Sequence, residues 1–253
     1  MTRQLFIVTG ASRGMGAAIA EQLLSGPDRS VLGISRRANE SLSAKARAAG
    51  ATLEQWTMDL AEPLAAAARL KAWLAALDGR AFDSVSLINN AASLTRIGAL
   101  EDCSGEDLSA ALRAGLEAPL LLTAAFLGAT AAWPGLRRVL NISSGLGRRA
   151  MAGQASYCAA KAGMDHFSRA VALDQAELAH GAKVVSLAPG VIDTDMQVQL
   201  RSADGAGFPD QGNFVRMKET GQLSSAADAA ARVIAYLERA DFGASPVADV
   251  RDA

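Results

Sequence analysis

Tyr157 and Lys161 stand one helical turn apart, within residues 156–179, where composition and periodicity predict a helix. A tyrosine with its ordinary pKa of about 10 is a poor acid–base group at neutral pH. A lysine ammonium beside it favours the phenolate and so lowers the pKa of the tyrosine. Such a tyrosine can donate a proton to a carbonyl oxygen while a hydride reaches the carbon. By itself, however, this spacing is more often an exposed helical pair.

A serine at a strand end can assist this chemistry. Leu136–Ile142 is predicted to be a strand, and Ser143 and Ser144 follow it. In a parallel sheet with helical crossovers, the carboxyl ends of the strands face one crevice. A Ser144 hydroxyl in that crevice can bind the same carbonyl oxygen and stabilise the charge that develops on it.

A glycine-rich turn near the start of the chain predicts a binding corner for a dinucleotide. An apolar run at residues 5–8 predicts a buried strand, and a helical pattern starts at residue 17. Three glycines lie between them: Gly10, Gly14 and Gly16. Glycines let the backbone turn tightly against a pyrophosphate, and the helix start offers it free N–H groups. The alternative is an ordinary strand-to-helix turn.

The second predicted strand, residues 30–35, ends where such a fold meets the adenosine ribose. An acidic residue there would hold the ribose 2′-hydroxyl of NAD. The chain offers instead Ser35, Arg36 and Arg37, with Arg13 in the glycine loop. Guanidinium groups bind phosphate in a bidentate way and stay charged. We therefore expect a 2′-phosphate site and a preference for NADP(H), with a solvated basic turn as the alternative.

Two further strand ends carry polar residues with two roles each. Asp59, followed by Leu60, can accept a hydrogen bond from an adenine amine or cap the helix that starts near Pro63. Asn89 can hold neighbouring backbone and a ribose, or it can simply form a turn.

Composition limits the remaining possibilities. The 253 residues are 50% hydrophobic and carry a net charge of −1, which gives no electrostatic footprint for nucleic acid or an anionic membrane. Cys103, Cys158, His166 and His180 show no metal-ligand spacing, so we expect no metal site. So few thiols suggest a reducing compartment, and the N-terminus lacks a secretory pattern, so we expect a cytoplasmic protein.

The apolar stretch 114–133 is long enough to span a membrane and carries only Glu117 as a charge. Gly115, Pro119 and Gly128 interrupt it. We expect instead a helix buried on most of its surface, by the sheet and by a partner subunit.

Strand and helix patterns alternate along the chain, which predicts one α/β domain over residues 1–253. Its expected core is a doubly wound parallel sheet of about seven strands with helices on both faces. Residues 191–223 lack clear periodicity, and we expect a long irregular substrate lid there.

Together these motifs resemble those of the short-chain dehydrogenase/reductase family over essentially the whole chain. Residues 9–16 are similar to its TGxxxGxG motif, residues 89–92 to NNAG with alanine in the last place, and residues 157–161 to YxxxK. Ser144 precedes Tyr157 by thirteen positions, the usual separation in that family. The resemblance implies a Rossmann fold and a nicotinamide-dependent oxidoreductase with Ser144, Tyr157 and Lys161 as catalytic residues.

The resemblance also implies a cofactor site. Lys161 would hold ribose hydroxyls, and Thr194, after Pro189 and Gly190, would hold the nicotinamide carboxamide. The cofactor set that we expect is Gly10, Ser12, Arg13, Gly14, Met15, Gly16, Ser35, Arg36, Arg37, Asp59, Leu60, Asn89, Ala91, Tyr157, Lys161, Pro189, Gly190, Ile192 and Thr194.

One position departs from the family pattern. The long central helix of the family usually carries an asparagine that supports a proton relay through water, and Gly115 occupies that place here. This departure predicts a substitute relay or slow turnover rather than weak cofactor binding.

Residues 189–197 and 242–252 are similar to the sepiapterin reductase and benzil reductase branch of the family. In sepiapterin reductases an aspartate near this terminus anchors the amino group of the pterin, and Asp249 falls at that place; alternatively, it only ends a strand. The branch implies NADPH-dependent reduction of a small ketone or diketone, with Ser144, Met196 and Asp249 as substrate contacts.

Two other functions remain open from the sequence: a dehydrogenase of hydroxysteroids or 3-oxoacyl thioesters, and a regulator that binds NADP(H) without chemistry. The apolar surfaces of helices 105–132 and 155–179 resemble the four-helix interface of the family, so we expect a homodimer or homotetramer.

Overall fold

The structure is a computed structural model that describes residues 3–252. Over that range, the strands form one parallel sheet in the order β3-β2-β1-β4-β5-β6-β7. Their bounds are β1 Gln4–Thr9, β2 Arg29–Ser35, β3 Thr52–Thr57, β4 Ser84–Asn89, β5 Leu136–Ile142, β6 Lys183–Ala188 and β7 Val247–Asp249. The expected doubly wound seven-stranded sheet is therefore confirmed.

Helices connect the strands and cover both faces of the sheet. Their bounds are α1 Gly14–Leu23, α2 Glu40–Ala49, α3 Pro63–Ala75, α4 Gly105–Leu112, α5 Ala118–Ala129, α6 Ala155–Ala176, α7 Asp195–Arg201, α8 Gln211–Glu219 and α9 Ala226–Leu237. Local sequence signals determine where several of these helices begin. Pro63 is the first residue of α3, and the Ser225 hydroxyl caps α9 by accepting from the Asp228 N–H at 3.0 Å.

The alternation of side chains along the strands builds two apolar layers. In β1, Phe6 and Val8 pack with α1, α2 and α9 on one face. Leu5 and Ile7 pack with α3 and α5 on the other face. Because successive strand residues point to opposite faces, an unbroken apolar run buries both sides of a central strand.

The register of the sheet brings the strand ends together. Asn89 at the end of β4 pairs with Asn141 in β5, and Ala188 at the end of β6 pairs with Asp249 in β7. The loops that follow these strands consequently open at one edge, where the crevice was expected.

One expectation about local structure is wrong. Residues 191–223 are not irregular, because they contain α7 and α8, which pack around Leu200, Phe208 and Phe214. Such short helices have too few turns to show a clear period in the sequence. The central helix is continuous from Gly105 to Ala129, but it contains a π-helical turn at Arg113–Glu117, between α4 and α5.

The central helical run, Gly105–Ala129, has the length and composition of a membrane span, and 39% of its most apolar window is buried. Within this chain it is therefore less buried than expected, and Leu112 and Leu120 are exposed. Its residues pack against α3 and α6.

Candidate active site

One cleft of about 600 Å³ opens at the carboxyl edge of the sheet. Every residue expected to bind cofactor, bind substrate or react lines this cleft, except Asn89 and Arg37. The glycine loop, the loops that follow the other central strands, helix α6 and the segment that holds α7 and α8 supply its walls.

Lys161 lies at the base of the cleft, beside Tyr157. Its side chain is only 2% exposed, and Nζ donates a hydrogen bond to the Ile142 carbonyl at 2.7 Å. The same Nζ lies 5.6 Å from the centre of the Tyr157 ring. The end of β5 therefore fixes the position of the ammonium group under the tyrosine.

Burial controls the titration of both groups. It lowers the pKa of Lys161 to about 8, against the opposing charge of Asp165. It raises the pKa of Tyr157 to about 12, although the Ser144 hydroxyl acts in the other direction. The expected lowering of the tyrosine pKa is thus not found in this structure, because desolvation outweighs the hydrogen bond with Ser144. Tyr157 is protonated at neutral pH and has a proton to donate.

The two serines after β5 have different surroundings. Ser144 begins a short turn at residues 145–147, and its Oγ accepts from the Leu146 N–H at 3.2 Å. Ser143 is buried, and its hydroxyl donates to Asp165 Oδ1 at 2.6 Å. The Ser143 hydroxyl is thus held by a carboxylate, which leaves Ser144 as the serine that can serve a substrate.

Asp165 anchors a buried polar network that the sequence did not reveal. The hydroxyls of Ser143 and Ser186 both donate to its Oδ1, at 2.6 and 2.7 Å. Arg148 Nε lies 3.5 Å from its Oδ2. A side chain at Gly147 would place Cβ 2.8 Å from that Oδ2, so only glycine fits there. The network ties α6 to β5, β6 and the loop after Ser144.

The glycine loop has the backbone that a phosphate site needs. Gly10 and Gly14 adopt φ of +71° and +57°, which favour glycine. A Cβ on Gly16 would lie 2.3 Å from the Gly10 carbonyl oxygen. Arg13 precedes α1 without capping it through its side chain, and no acidic residue occupies the first turn. The first N–H groups of α1 thus remain available to an anion, as a dinucleotide requires.

The expected cofactor contact through the Asn89 side chain is not supported, because this side chain points into the core. Asn89 is 1% exposed, and its Nδ2 donates to Asn141 Oδ1 at 2.8 Å and to Thr123 Oγ1 at 3.3 Å. Asn90 faces the cleft instead, and its Nδ2 donates to the Thr9 carbonyl at 2.9 Å. Since strand residues alternate, one position decides which asparagine reaches the cleft.

The basic residues after β2 also differ in whether they line the cleft. Arg36 lines the cleft, whereas Arg37 does not, so the expected contact through Arg37 is not supported. Ser35 lies in the cleft wall, and its hydroxyl donates to the Arg37 carbonyl at 2.8 Å. Arg13 is exposed and pairs with Asp195 at 2.6 Å, across the cleft at the start of α7.

Asp59 does not cap α3, whose capping position is Glu62, but it stabilises the turn before that helix. Its Oδ1 accepts from the Ala61 N–H at 2.9 Å in the turn before α3, and the residue also lines the cleft next to Leu60. The turn contact is observed, while contact with an adenine stays a prediction.

Asp249 is not the open carboxylate that a pterin amine needs. The Arg251 side chain grips both of its oxygens, at 2.8 and 2.6 Å, and this pairing lowers the pKa of Asp249. Arg148 lies 3.8 Å from Oδ2. Because Arg251 already binds both carboxylate oxygens, the expected substrate contact through Asp249 is not supported.

The substrate half of the cleft contains residues that the motifs did not identify. Met196, as expected, lies on its wall. The further wall residues are Leu94, Leu146, Arg149, Met151, Gln154, Leu200 and Phe214. None of them belongs to a family motif, and they become visible only when three separate segments fold together.

Comparison with known proteins agrees with this site. Residues 4–205 match the family described as short chain dehydrogenase. A benzil reductase ((S)-benzoin forming) of Bacillus cereus is 34% identical over 236 residues, which cover 93% of this chain and 94% of that protein. This relative confirms the expected benzil reductase-like branch.

Two solved structures show the same fold. A metagenomic short-chain oxidoreductase in complex with NADP has a TM-score of 0.72 and 30% identity, over 98% of this chain and 96% of that one. A 3-oxoacyl-[acyl-carrier protein] reductase from Brucella melitensis in complex with NAD has a TM-score of 0.80 and 24% identity, over 99% of this chain and 96% of that one. This chain belongs to the short-chain dehydrogenase/reductase family, whose members are oxidoreductases of carbonyl and hydroxyl groups.

Proposed function

We propose that the protein is an NADPH-dependent carbonyl reductase that acts on a small ketone or diketone. The observation that carries this proposal is the meeting of Ser144, Tyr157 and Lys161 in the cleft that the glycine loop also lines. A protein that only sensed the dinucleotide would have no need for a proton donor at that place.

Each of the three residues has a defined part in this reaction. A reduced nicotinamide dinucleotide, when bound, supplies the hydride for the carbonyl carbon. Tyr157 gives its hydroxyl proton to the carbonyl oxygen, so that the product is an alcohol. Ser144 donates a hydrogen bond to that oxygen as negative charge develops on it. The Lys161 ammonium, held by the Ile142 carbonyl, stabilises the tyrosinate that remains.

Preference for NADP(H) is supported by charge at the end of β2. Arg36 lines the cleft there, and Arg13 stands in the glycine loop. Among residues 35–37 no carboxylate follows the strand to bind a ribose 2′-hydroxyl or to repel a 2′-phosphate, while Arg13 is itself paired with Asp195.

The walls of the substrate half support a compact, largely apolar substrate. Leu146, Met151, Met196 and Phe214 line it, and the Bacillus cereus relative carries the name benzil reductase. An acyl-carrier protein would need a basic rim. In residues 191–223, Arg201 and Lys218 both pair with Asp193, so little free positive charge remains.

We propose further that residues 191–223 act as the substrate lid and that the protein is a cytoplasmic homodimer or homotetramer. Leu112, Leu120 and Leu173 are exposed on the helices expected at the subunit interface, which supports association through them.

The test of the function is NADPH oxidation with benzil and with sepiapterin. We expect turnover of one of these substrates, lost by about a thousandfold in Tyr157→Phe, while NADPH binding is retained. Tyr236→Phe is the matched control, because Tyr236 lies on α9 outside the cleft. If Tyr157→Phe reduces either substrate as fast as the parent protein, the assigned proton donor is wrong.

A further inference from the structure

Gln154 lies directly before α6, one helical turn ahead of Tyr157. It is only 4% exposed, and it lines the same cleft as Tyr157 and Ser144. No motif of the family drew attention to this position. Its place beside the reacting group makes its side chain a neighbour of any bound carbonyl compound.

The amide of Gln154 makes no hydrogen bond within residues 3–252. It does not cap α6, although Gln154 occupies the capping position. The other buried glutamine in the described chain, Gln197, accepts a hydrogen bond from Arg201 at 3.4 Å. The buried polar atoms that lack a partner in the described chain are Asn89 Oδ1 and Asp165 Oδ2, and neither amide atom of Gln154 is among them. The Gln154 amide is therefore open to the cleft, where an oxygen of a ligand can replace water as its partner.

We propose that the Gln154 amide donates a hydrogen bond to a second oxygen of the substrate, on the carbon next to the reacting carbonyl. This inference rests on the proposed function. Ser144 and Tyr157 bind the oxygen of the reacting carbonyl, and Gln154 binds the oxygen on the adjacent carbon. The substrate class is thus α-dicarbonyl compounds with an apolar body, which the walls at Leu146 and Met151 accommodate.

Gln154 would also decide which of two carbonyls reacts. In an unsymmetrical α-diketone, the carbonyl held by Gln154 is kept away from Tyr157, so the other one is reduced. An amide is neutral, so it suits a neutral ketone oxygen and needs no counter-charge in the buried site.

The experiment compares 1-phenyl-1,2-propanedione with propiophenone, which lacks the second oxygen. The variant is Gln154→Met, which keeps the length of the side chain and removes its donors. We expect kcat/KM for the diketone to fall by about tenfold, while that for propiophenone changes by less than about twofold. The ratio of the two hydroxyketone products should shift as well.

Gln4→Met is the matched control, because Gln4 starts β1 at the opposite end of the sheet from the cleft. It should leave both substrates and the product ratio unchanged. Equal losses for diketone and monoketone in Gln154→Met, or no loss for either, would overturn the inference.

Two further readouts separate this inference from its alternatives. The unfolding temperature of Gln154→Met should equal or exceed that of the parent protein, because no hydrogen bond within the chain is lost. A clear decrease would mean an intramolecular role and would refute the proposal. Reduction of neither substrate by the parent protein would refute the proposed function itself, whereas Tyr157-dependent reduction that is indifferent to Gln154 would refute only the role of Gln154.

Discussion

The glycine loop and the segment 191–223 form facing walls of one cleft, but they are built in different ways. Backbone geometry defines the glycine loop, where Gly16 fits against the Gly10 carbonyl without room for a methyl group. Side chains define the other wall, where two short helices pack around a small apolar cluster and ion pairs join Asp193 to Arg201 and Lys218.

Substitutions in the glycine loop should therefore act on every substrate, whereas substitutions in the segment 191–223 should act on some. A wall made of backbone holds the part of the ligand that never varies, and any added atom displaces it. A wall made of side chains can change its shape and polarity one residue at a time. Lys161 and Tyr157 stand between the two walls, so their loss should affect every substrate alike.

The largest effect is expected for Lys161→Met. Removal of the buried ammonium leaves the tyrosinate without its cation, so kcat should fall by about 100- to 10,000-fold for benzil and for any other carbonyl substrate. Steady-state kinetics with two substrates measures this. Lys71→Met, on the exposed side of α3, is the control. A fall in kcat for only one of the two substrates would contradict the expectation that Lys161 serves every substrate alike.

The pH dependence of stability gives the next effect. Lys161 has a folded pKa of about 8, below its ordinary 10.5, so burial of the ammonium destabilises the fold fully below pH 8. Between these values the unfolded chain keeps a proton that the folded chain has lost, so stability rises with pH. The free energy of unfolding should therefore rise by about 2 kcal/mol between pH 7 and about 9.5, relative to Lys161→Met.

Urea unfolding of both proteins at several pH values checks this rise. Measurements stop below the ordinary pKa of tyrosine, because Tyr157, with its raised pKa, acts with the opposite sign at higher pH. If the free energy of unfolding changed with pH in the same way in both proteins, burial would not destabilise the Lys161 ammonium.

A methyl group in the glycine loop should act next. Gly16→Ala places Cβ 2.3 Å from a backbone oxygen, so the loop must shift, with a loss of about 1–3 kcal/mol in stability. Because α1 begins in this loop, the affinity for NADPH should fall together with stability. Fluorescence titration with NADPH and thermal unfolding measure the two effects. Retention of full affinity would show that the loop does not form the phosphate site.

Removal of a positive charge at the adenosine end of the cleft should have a smaller effect on NADPH binding. The neighbours Arg36 and Arg37 allow this effect to be located. Arg36 lines the cleft and Arg37 does not. Arg36→Ser should raise the KM for NADPH by about tenfold and leave the KM for NADH unchanged. Arg37→Ser should change neither value. A larger effect of Arg37→Ser would place the 2′-phosphate on the other side of the turn.

The contrast between the two walls also explains what the sequence could predict. The strands, the layers and the glycine corner follow from local patterns, since each depends on residues close together in the chain. Asn89 and Asn90 show the limit, because one step along a strand decides which side chain reaches the cleft. The pairing of Asp249 with Arg251 depends on side-chain conformation, which no spacing encodes.

Burial explains the remaining failures. The pKa of Tyr157 rises because several segments desolvate it together, and the spacing of Tyr157 and Lys161 carries no information about that. Gln154 was missed for the same reason, since an amide without a partner is visible only when every neighbour is placed.

The smallest effect is expected for a glycine in the segment 191–223, the wall that is made of side chains. Gly212 lies in the first turn of α8, and a Cβ built on it meets nothing within 4 Å. Gly212→Ala should raise the free energy of unfolding by about 0.5 kcal/mol, because alanine loses less backbone entropy than glycine in a helix. Thermal unfolding beside Gly16→Ala measures this, with NADPH affinity expected to stay unchanged. Destabilisation by Gly212→Ala would mean that this wall, too, depends on backbone geometry, and the distinction between the two walls would fail.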